Sequence, residues 1–445
     1  MNASAWLPPF LARRLAGRDT LRRSIDNVSW LFADQLIRMV AGLLVGVWMA
    51  RHLGPEQYGW LSYAIAVVGT VGALTALGLN AVVVRELVRA PAATEPWLGA
   101  AFFLKSVGAG LGFLICVGVA WLQPAGTTPV RPLVIIVALG LFFQALDVYD
   151  LLFQSRGRSR VSAYVRIAAC VLANLVKVGL ILGGASLLLL AAAGVLELAL
   201  CAAGWMWAGR KSTPNGGRFR MDRDCVRTLL RDGWPLALSG LAVHTQAYAD
   251  QLVLGAMLGG GELGQYAAAM RLVGVFAFIP MVVQTVTAPE ITRAKQDDER
   301  LYRRRLHSFY RLMFGLFLLT AVPLVVFGPL ATRLLFGPAY AGAAALLPWL
   351  AFRLFFTNLG VARSLFITNE GLFRFALVTA LAGAAANLAL NLLLVPWWGA
   401  RGAIVSSFVS FGLTTFALEA FHPRARENLR LMARAIFLPW RPLPS

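Results

Sequence analysis

The sequence predicts an all-α polytopic membrane protein, with about twelve transmembrane helices forming two six-helix lobes around a central cavity. Three observations lead there. The chain has 445 residues, of which 58% are hydrophobic and only 14% charged, whereas a soluble domain carries about 25% charged residues. Its apolar residues gather into runs of membrane-spanning length. Its basic residues fall almost entirely between alternate runs. Mean hydropathy is +0.68. Two soluble domains would fit the length but could not hide that much apolar surface.

A spanning helix needs about 20 mostly apolar residues. Runs of that kind cover residues 28–50, 58–84, 97–122, 132–154, 161–183, 186–208, 234–258, 263–287, 309–330, 343–366, 373–395 and 399–421. The early apolar stretch WLPPFLA is too short and proline-rich for the core of a cleavable signal peptide. Lys and Arg collect on the cytoplasmic side of membrane proteins. With the N-terminus inside, the inner segments hold Arg13, Arg14, Arg18, Arg22 and Arg23, then Arg85, Arg89, Arg156, Arg158 and Arg160. The loop 209–232 adds seven more, from Arg210 to Arg231, and the next inner loop runs from Arg293 to Arg311. Arg374 and the tail from Arg424 to Arg441 complete the set. Only Arg51, Arg131, Arg333 and Arg401 fall outside. A wrong span count would scramble this pattern, so both termini are expected in the cytoplasm. The net charge of +20 is then an orientation signal facing anionic lipid, and no nucleic-acid partner is expected.

The expected organisation is an N-terminal lobe over 1–208, a basic cytoplasmic linker over 209–232, a C-terminal lobe over 233–421 and a cytoplasmic tail over 422–445. A repeat supports it. Shifting the chain by 205 residues lays Leu53, Gly54, Gly59, Ala64, Val68 and Gly69 on Leu258, Gly259, Gly264, Ala269, Val273 and Gly274. Shifting by 213 lays Ala173-Asn174-Leu175 on Ala386-Asn387-Leu388. Six spans are an even number, so the halves share one orientation, a parallel repeat. RHLGPEQYGW is then an outer hairpin, in which Gly54 and Pro55 break the helix. Residues 6–24 and 424–440 are amphipathic and suit either the inner leaflet surface or a solvated tail.

No chemistry of the usual catalytic or metal-binding kinds is visible. Cys116, Cys170, Cys201 and Cys225 lack metal-ligand spacing, and the four histidines make no cluster. Gly108-Ala-Gly-Leu-Gly112 sits deep in an apolar run, where close helix packing explains it better than nucleotide binding. No cofactor, no metal and no catalytic residue are expected.

What stands out is charge inside the spans. Arg38, Lys105, Arg166, Lys177, Arg271, Arg353 and Arg363 are basic; Asp34, Asp147, Asp150, Glu197 and Asp250 are acidic, with Glu419 near a span end. Each costs about 2.5–3.5 kcal/mol at mid-bilayer on insertion scales, so they must face a polar interior or pair. Arg166, Ala169, Cys170, Ala173 and Lys177 share one helical stripe. So do Gln144, Asp147, Asp150 and Gln154; Ser239, Gln246 and Asp250; and Arg353, Thr357, Gly360 and Ser364. Asp34 and Arg38 form an i,i+4 pair, and the twelfth run is rich in hydroxyls from Ser406 to Thr415. Structural salt bridges are the alternative reading of each.

A membrane polymerase or ligase of sugar chains would carry a large outer loop with catalytic groups. Here the longest, near 327–342, holds only Arg333 as an ionisable group. A channel would repeat a pore motif, and none is found. Transport is the reading that remains, and no enzymatic activity is expected.

The segments ARHLGPEQYGWLSYA (50–64), LGLNAVVVRELVR (77–89), LGQYAAAMRL (263–272) and NLALNLLLVPWWGARGA (387–403) carry a family resemblance. The last is similar to an Asn-x3-Asn-x4-Pro-x2-Gly-x2-Gly-Ala element, met by Asn387, Asn391, Pro396, Gly399, Gly402 and Ala403. It departs from the pattern at Ile404, where a second alanine is common, and the first-half copy has Val178 where Asn391 stands. The chain thus resembles the Wzx-type polysaccharide transporters, oligosaccharide flippases of the multidrug/oligosaccharidyl-lipid/polysaccharide exporter superfamily.

That resemblance implies a flippase of the bacterial cytoplasmic (inner) membrane. Its substrate would be an undecaprenyl-diphosphate-linked oligosaccharide for surface polysaccharide such as O-antigen or exopolysaccharide. Its partners would be that lipid, the membrane lipids, and a polysaccharide polymerase and glycosyltransferases. Arg38, Arg166, Lys177, Arg271, Arg353, Arg363, Asn387 and Asn391 are the expected diphosphate and sugar contacts. Asp34, Asp147, Asp150 and Asp250 are the expected ion-coupling carboxylates. The alternatives are a lipid II flippase of peptidoglycan synthesis and a cation-coupled exporter of small molecules.

The topology is testable with reporter fusions. Fusions at Gly216 and Pro423 are expected to report cytoplasm and one after Gly260 the outside. A periplasmic signal at Gly216 would remove both the orientation and the repeat.

Overall fold

Hydrocarbon offers no water to a backbone N–H or C=O, so a spanning segment must close its hydrogen bonds internally. The computed structural model, which describes residues 19–122, 129–212 and 220–437, meets this demand with helices, and these residues contain no strand. Residues 6–18 and 438–440 of the two amphipathic segments lie outside the described residues, as do Arg13, Arg14, Arg18, Arg218 and Arg441.

The first element, α1, runs Asp19–Thr75. It is followed by α2 (Leu79–Arg89) and α3 (Thr94–Leu122). The fourth span is made in pieces: α4 (Val130–Ala138), α5 (Gly140–Gln144) and α6 (Val148–Ser155). α7 (Ser159–Leu182) and α8 (Leu187–Ser212) come next, then α9 (Arg223–Leu258). α10 (Gly260–Ala277) and α11 (Ile279–Asp297) share one span. α12 is Glu299–Phe336, α13 Ala341–Ala351 and α14 Arg353–Glu370. α15 (Phe373–Gly412) continues through a π turn and a 3-10 turn to Phe421, and α16 is Pro423–Phe437.

Nine of the described segments are long and apolar enough to cross a membrane. Two of them, Asp34–Thr75 and Phe373–Phe421, are 42 and 49 residues long and hold two spans each. α9 carries the run at 234–258, diluted by His244, Gln246, Asp250 and Gln251, and completes the twelve. Lipid-facing surfaces are openly apolar: Leu114 is 65% exposed and Leu319 71%. In a water-soluble monomer such patches would be a liability.

The double-length helices bend where the sequence places glycine. Gly54 has φ 71° and ψ 171°, and Gly399 φ 56° and ψ −137°. Gly259 (φ 83°, ψ −172°) and Gly337 (φ 88°, ψ 179°) make two further turns in nearly the same conformation. This region is open essentially to glycine alone. The turn FGPAY at 336–340 is thus a further copy of the Gly-Pro hairpin. It also corrects the extent of the connection expected near 327–342, which is shorter still. Residues 327–336 continue α12, which tolerates Pro323 and Pro329, and only the short 3-10 turn Pro338–Tyr340 intervenes before α13.

The chain divides into two compact units at different places from the six-span halves read from the sequence. One comprises residues 1–46 and 71–240, the other 47–70 and 241–445. In the first unit, Leu79, Val82, Val83 and Leu87 of α2 pack with Leu98, Ala101, Tyr149, Leu152 and Leu229. The break before α2, at Leu77 (φ 53°) and Gly78 (φ 60°), ends the second span at Thr75 rather than at residue 84. Arg85 Nη2 holds Asp232 Oδ2 at 2.5 Å. Hydrogen bonds from Arg85 and then Arg231 keep the Asp232 carboxyl below the usual carboxylate range. Gly108 and Gly112 lie against Thr75, so the glycine cluster of α3 is a packing surface, as its sequence context suggested.

In the second unit the two copies of the repeated hairpin touch. A Cβ on Gly59 would lie 1.8 Å from the Gly260 carbonyl oxygen, and one on Gly264 would lie 1.8 Å from the Pro55 carbonyl oxygen. Backbone meets backbone, which only small residues permit. One end of this unit is closed by α16. Its apolar face, Leu431, Met432 and Ala435, is buried against Tyr302, Leu306, Phe309 and Tyr310 of α12 and Leu365 and Phe366 of α14. That corrects both readings of the tail: this face meets protein instead of lipid headgroups or solvent. Helical periodicity shows that a face is apolar but not what covers it.

Gly59→Ala and Gly264→Ala are each expected to destabilise the protein by about 2 kcal/mol or more through overpacking. Gly261→Ala meets nothing within 4 Å and should leave the unfolding midpoint unchanged. Thermal unfolding in detergent, followed by tryptophan fluorescence, compares the three.

Candidate functional site

The in-span charges are paired, mostly across helices. In the first unit Asp34, 2% exposed, accepts from Arg38 Nε at 3.0 Å and from Arg166 Nε at 2.9 Å. Arg166 reaches on through Nη1 to Asp150 Oδ2 at 3.2 Å, and Gln154 Nε2 donates to that same oxygen at 2.9 Å. Asp150 Oδ1 is buried with no hydrogen-bond partner. One arginine is thus shared by two carboxylates, and a second, Arg38, remains 34% exposed. Asp147 belongs elsewhere: the 3-10 turn at 145–147 rotates it toward Lys105, whose Nζ also donates to Asn80 Oδ1 at 2.6 Å. The expected stripe of Gln144, Asp147, Asp150 and Gln154 is therefore split between two clusters. Lys177 pairs with Glu197 at 3.0 Å. The Asn174 side chain bonds back to Cys170 within α7.

The second unit holds the densest arrangement. Asp250, 0% exposed, projects from α9 into a nest of donors. Tyr266 and Ser407 hydroxyls each donate to Oδ2 at 2.6 Å, and Arg353 Nη1 donates to it at 3.0 Å. Asn391 Nδ2 donates to Oδ1 at 3.0 Å. A carboxylate offers about four acceptor positions, two on each oxygen; three donors crowd Oδ2 and one reaches Oδ1, which keeps one position open. Asn387 supports the nest: it bonds to Ser410 at 3.1 Å, and its own carbonyl oxygen accepts from Asn391 at 2.8 Å. Arg353 is held further by Ser407 at 3.3 Å and stacks over the Phe411 ring, 5.1 Å from its centroid.

Arg353 also lines a cavity of about 560 Å³ within this unit, together with Arg271, Tyr58, His244, Gln251 and Thr357. Arg271 Nη1 donates to Tyr58 Oη at 3.1 Å. Arg363 does not reach this cavity. It pairs with the buried Glu419 at 2.8 Å, where Asn428 of α16 satisfies both carboxylate oxygens and Tyr310 in turn donates to Asn428 at 2.8 Å. The π turn at 413–417 sets Glu419 at this depth.

Of the six expected cationic contacts, the structure thus brings Arg271 and Arg353 to one cavity and Arg38 and Arg166 to one carboxylate, while Lys177 and Arg363 stand in separate pairs. Asn387 and Asn391 serve the Asp250 nest. Tyr58, Tyr266 and Ser407 were missed as site residues. A signal existed for the tyrosines, since each lies in a copy of the repeated turn. Among the described residues no group of three or more His, Cys, Asp or Glu could hold a metal ion.

Helices of membrane-spanning length, buried arginine–carboxylate pairs and a polar cavity in the second unit are features of membrane transporters. The chain belongs to the polysaccharide biosynthesis protein family, whose model matches residues 24–295, which bears out the motif resemblance at the level of family. Its fold is that of the MOP superfamily transporters. It superposes on a multidrug resistance MATE family transporter of the MOP superfamily, in an inward-facing conformation, with TM-score 0.70 and 14% identity, over 89% of this chain and 96% of that one. With lipid II flippase MurJ, in an inward closed conformation, the TM-score is 0.71 at 11% identity, over 91% and 90%. A MOP superfamily transporter from Pyrococcus furiosus, described as having a binding pocket of reverse polarity, gives 0.61 at 15%, over 92% and 96%. At such identities the likeness is one of fold. No curated protein matches the chain.

Removing one member of a buried ion pair strands the other, at a cost of about 3–5 kcal/mol. Asp250→Ala is therefore expected to reduce the yield of folded protein sharply, by stranding Arg353. Asp250→Ala/Arg353→Leu should recover much of it. Monodispersity on size exclusion and the unfolding midpoint report both.

Proposed function

We propose that the protein is a flippase of the bacterial cytoplasmic membrane, moving undecaprenyl-diphosphate-linked oligosaccharide units from the inner to the outer leaflet by alternating access. The observation that carries this reading is the pair of guanidiniums, Arg271 and Arg353, on the wall of one cavity also lined by Tyr58, His244 and Gln251. A diphosphate cannot enter hydrocarbon without cationic partners, and arginine supplies charge-assisted, bidentate ones. Hydroxyl and amide side chains beside them suit sugars. The prenyl tail stays in the bilayer while the head group crosses. A small-cation exporter would want acidic groups facing its cavity. Among the described residues that line it none is acidic, and the nearby Asp250 is enclosed by donors.

Coupling follows from the same nest. Asp250 is fully buried with one acceptor position of Oδ1 left open, room for a proton but too little for a metal ion with its several oxygen ligands, so it serves the cycle by binding a proton. Protonation would loosen Arg353 and make its charge available to the diphosphate. Asp34 plays the corresponding part for Arg38 and Arg166, and both reach a substrate only when that carboxylate lets go. Asp150, which shares Arg166, is its partner in this; Asp147 works on Lys105.

In proteoliposomes, Arg271→Ala and Arg353→Gln, which keeps a donor beside Asp250, are each expected to slow flipping of an undecaprenyl-diphosphate oligosaccharide at least tenfold, with insertion retained. An unaltered rate in the double variant would sink the cationic cavity. An imposed pH gradient, and not a sodium gradient, should accelerate the parent protein. If Asp250→Asn and Asp34→Asn keep the parent's response, these carboxylates are structural.

A further inference from the structure

A second concavity lies in the same unit, away from Arg271 and Arg353. It is a groove of about 960 Å³ between α10, α13 and the second part of α15. Its walls are graded along their length. On α15, Arg401, Ile404, Val405 and Phe408 follow one helical face. The cation is at the end beside the Gly399 bend, and apolar side chains continue for about 10 Å below it. On α13, Gly342 and Ala345 come first, then Leu346 and Trp349. Glu262 and Gln265 of α10 close the polar end. The groove is thus polar and roomy at one end, apolar at the other, which is the profile of a lipid and its head group.

The polar end is braced. Glu262 Oε1 accepts the Ala400 amide at 3.3 Å, just after the bend. Gln265 donates to the Ala339 carbonyl at 2.8 Å and accepts the Ala343 amide at 2.9 Å, pinning the turn between α12 and α13. Arg401 is exposed and makes no hydrogen bond or ion pair with another described residue. Above it stand Trp397, 82% exposed, and Trp398, 57% exposed. Tryptophans are common at membrane interfaces, but a belt does not require a concave, braced site with a free cation and a carboxylate in it.

We infer that this groove is an outer-leaflet holding site for a polyprenyl-diphosphate sugar, the form in which the substrate leaves. Arg401 takes the phosphate and Glu262 accepts sugar hydroxyls through its remaining lone pairs. The indole faces of Trp397 and Trp398 pack on the weakly positive C–H face of a pyranose, and the prenyl chain lies along Ile404, Val405 and Phe408. The Lys/Arg distribution assigns this end of the helices to the outer side. The inference rests on the flippase reading proposed above and adds to it a site of release.

The test uses the full chain in nanodiscs and, as probe, a fluorescent short-chain polyprenyl diphosphate bearing one N-acetylglucosamine. Arg271→Ala/Arg353→Gln removes the cationic cavity site while keeping a donor for Asp250, and should leave one class of binding. Adding Arg401→Ala/Trp397→Ala should weaken that class at least tenfold, Arg401→Lys in place of Arg401→Ala should restore part of it, and phosphatidylglycerol should not compete. Undiminished binding in the four-fold variant, or equal displacement by phosphatidylglycerol, would overturn the assignment and leave an ordinary annular lipid site. Flipping by the parent protein separates the two proposals. If the parent flips while Arg401→Ala/Trp397→Ala binds and releases like the parent, only the groove fails; if the parent does not flip, the flippase reading fails with it.

Discussion

Two helix starts touch backbone to backbone because residues 59, 260 and 264 lack side chains, and much of the second unit is arranged around that contact. Tyr58 adjoins Gly59, so the contact brings its hydroxyl to Arg271, two turns beyond Gly264 on α10. Tyr266, two residues past Gly264, reaches Asp250. Tyr340, from the further copy of the turn, donates to the Ala50 carbonyl at 2.8 Å and meets the Tyr58 ring edge to face. A methyl group at 59 or 264 would separate the helices and open the wall on which both cavity arginines sit.

The second organising constraint is electrostatic. Charges within the bilayer are costly, and here the cost is offset by giving each of Asp34, Asp147, Asp250 and Glu419 a cationic partner within its own unit. Such pairs contribute little net stability compared with apolar packing, so their number points to use. In the flippase proposed above, a guanidinium paired in one state and released in another would link a proton to an anionic solute. The Arg363–Glu419–Asn428–Tyr310 chain differs, because it ties α16 to the bundle and fits a structural role.

Much of this fold was legible in the sequence. Span positions follow from apolar runs, because lipid enforces helix wherever such a run exists. What was hidden depends on packing between distant residues. Arg166 and Asp34 are 132 residues apart, and Asn391 and Asp250 are 141. Helical phase could show that each was polar on one face but not which polar faces meet. Span ends blurred where the sequence stays helical through proline, as at Pro323 and Pro329 in α12. The FGPAY turn escaped notice because little beyond Gly-Pro and the tyrosine repeats. The segment 47–70 groups with residues 241–445 because the glycine contact draws it there, and no local pattern announces a contact made across 205 residues.

That separation has a consequence for synthesis. Gly59 leaves the ribosome long before Gly264, its counterpart at the contact. At about 5–20 residues per second the interval is about 10–40 s. During that time the second span stands in the bilayer with its glycine face uncovered and its helix-breaking Gly54-Pro55 turn unsupported. Its first partners must be lipid, the insertion machinery or another nascent span. Codon pace and insertase capacity over residues 71–260 therefore bear on whether the chain assembles or is degraded, even where every mature contact is intact.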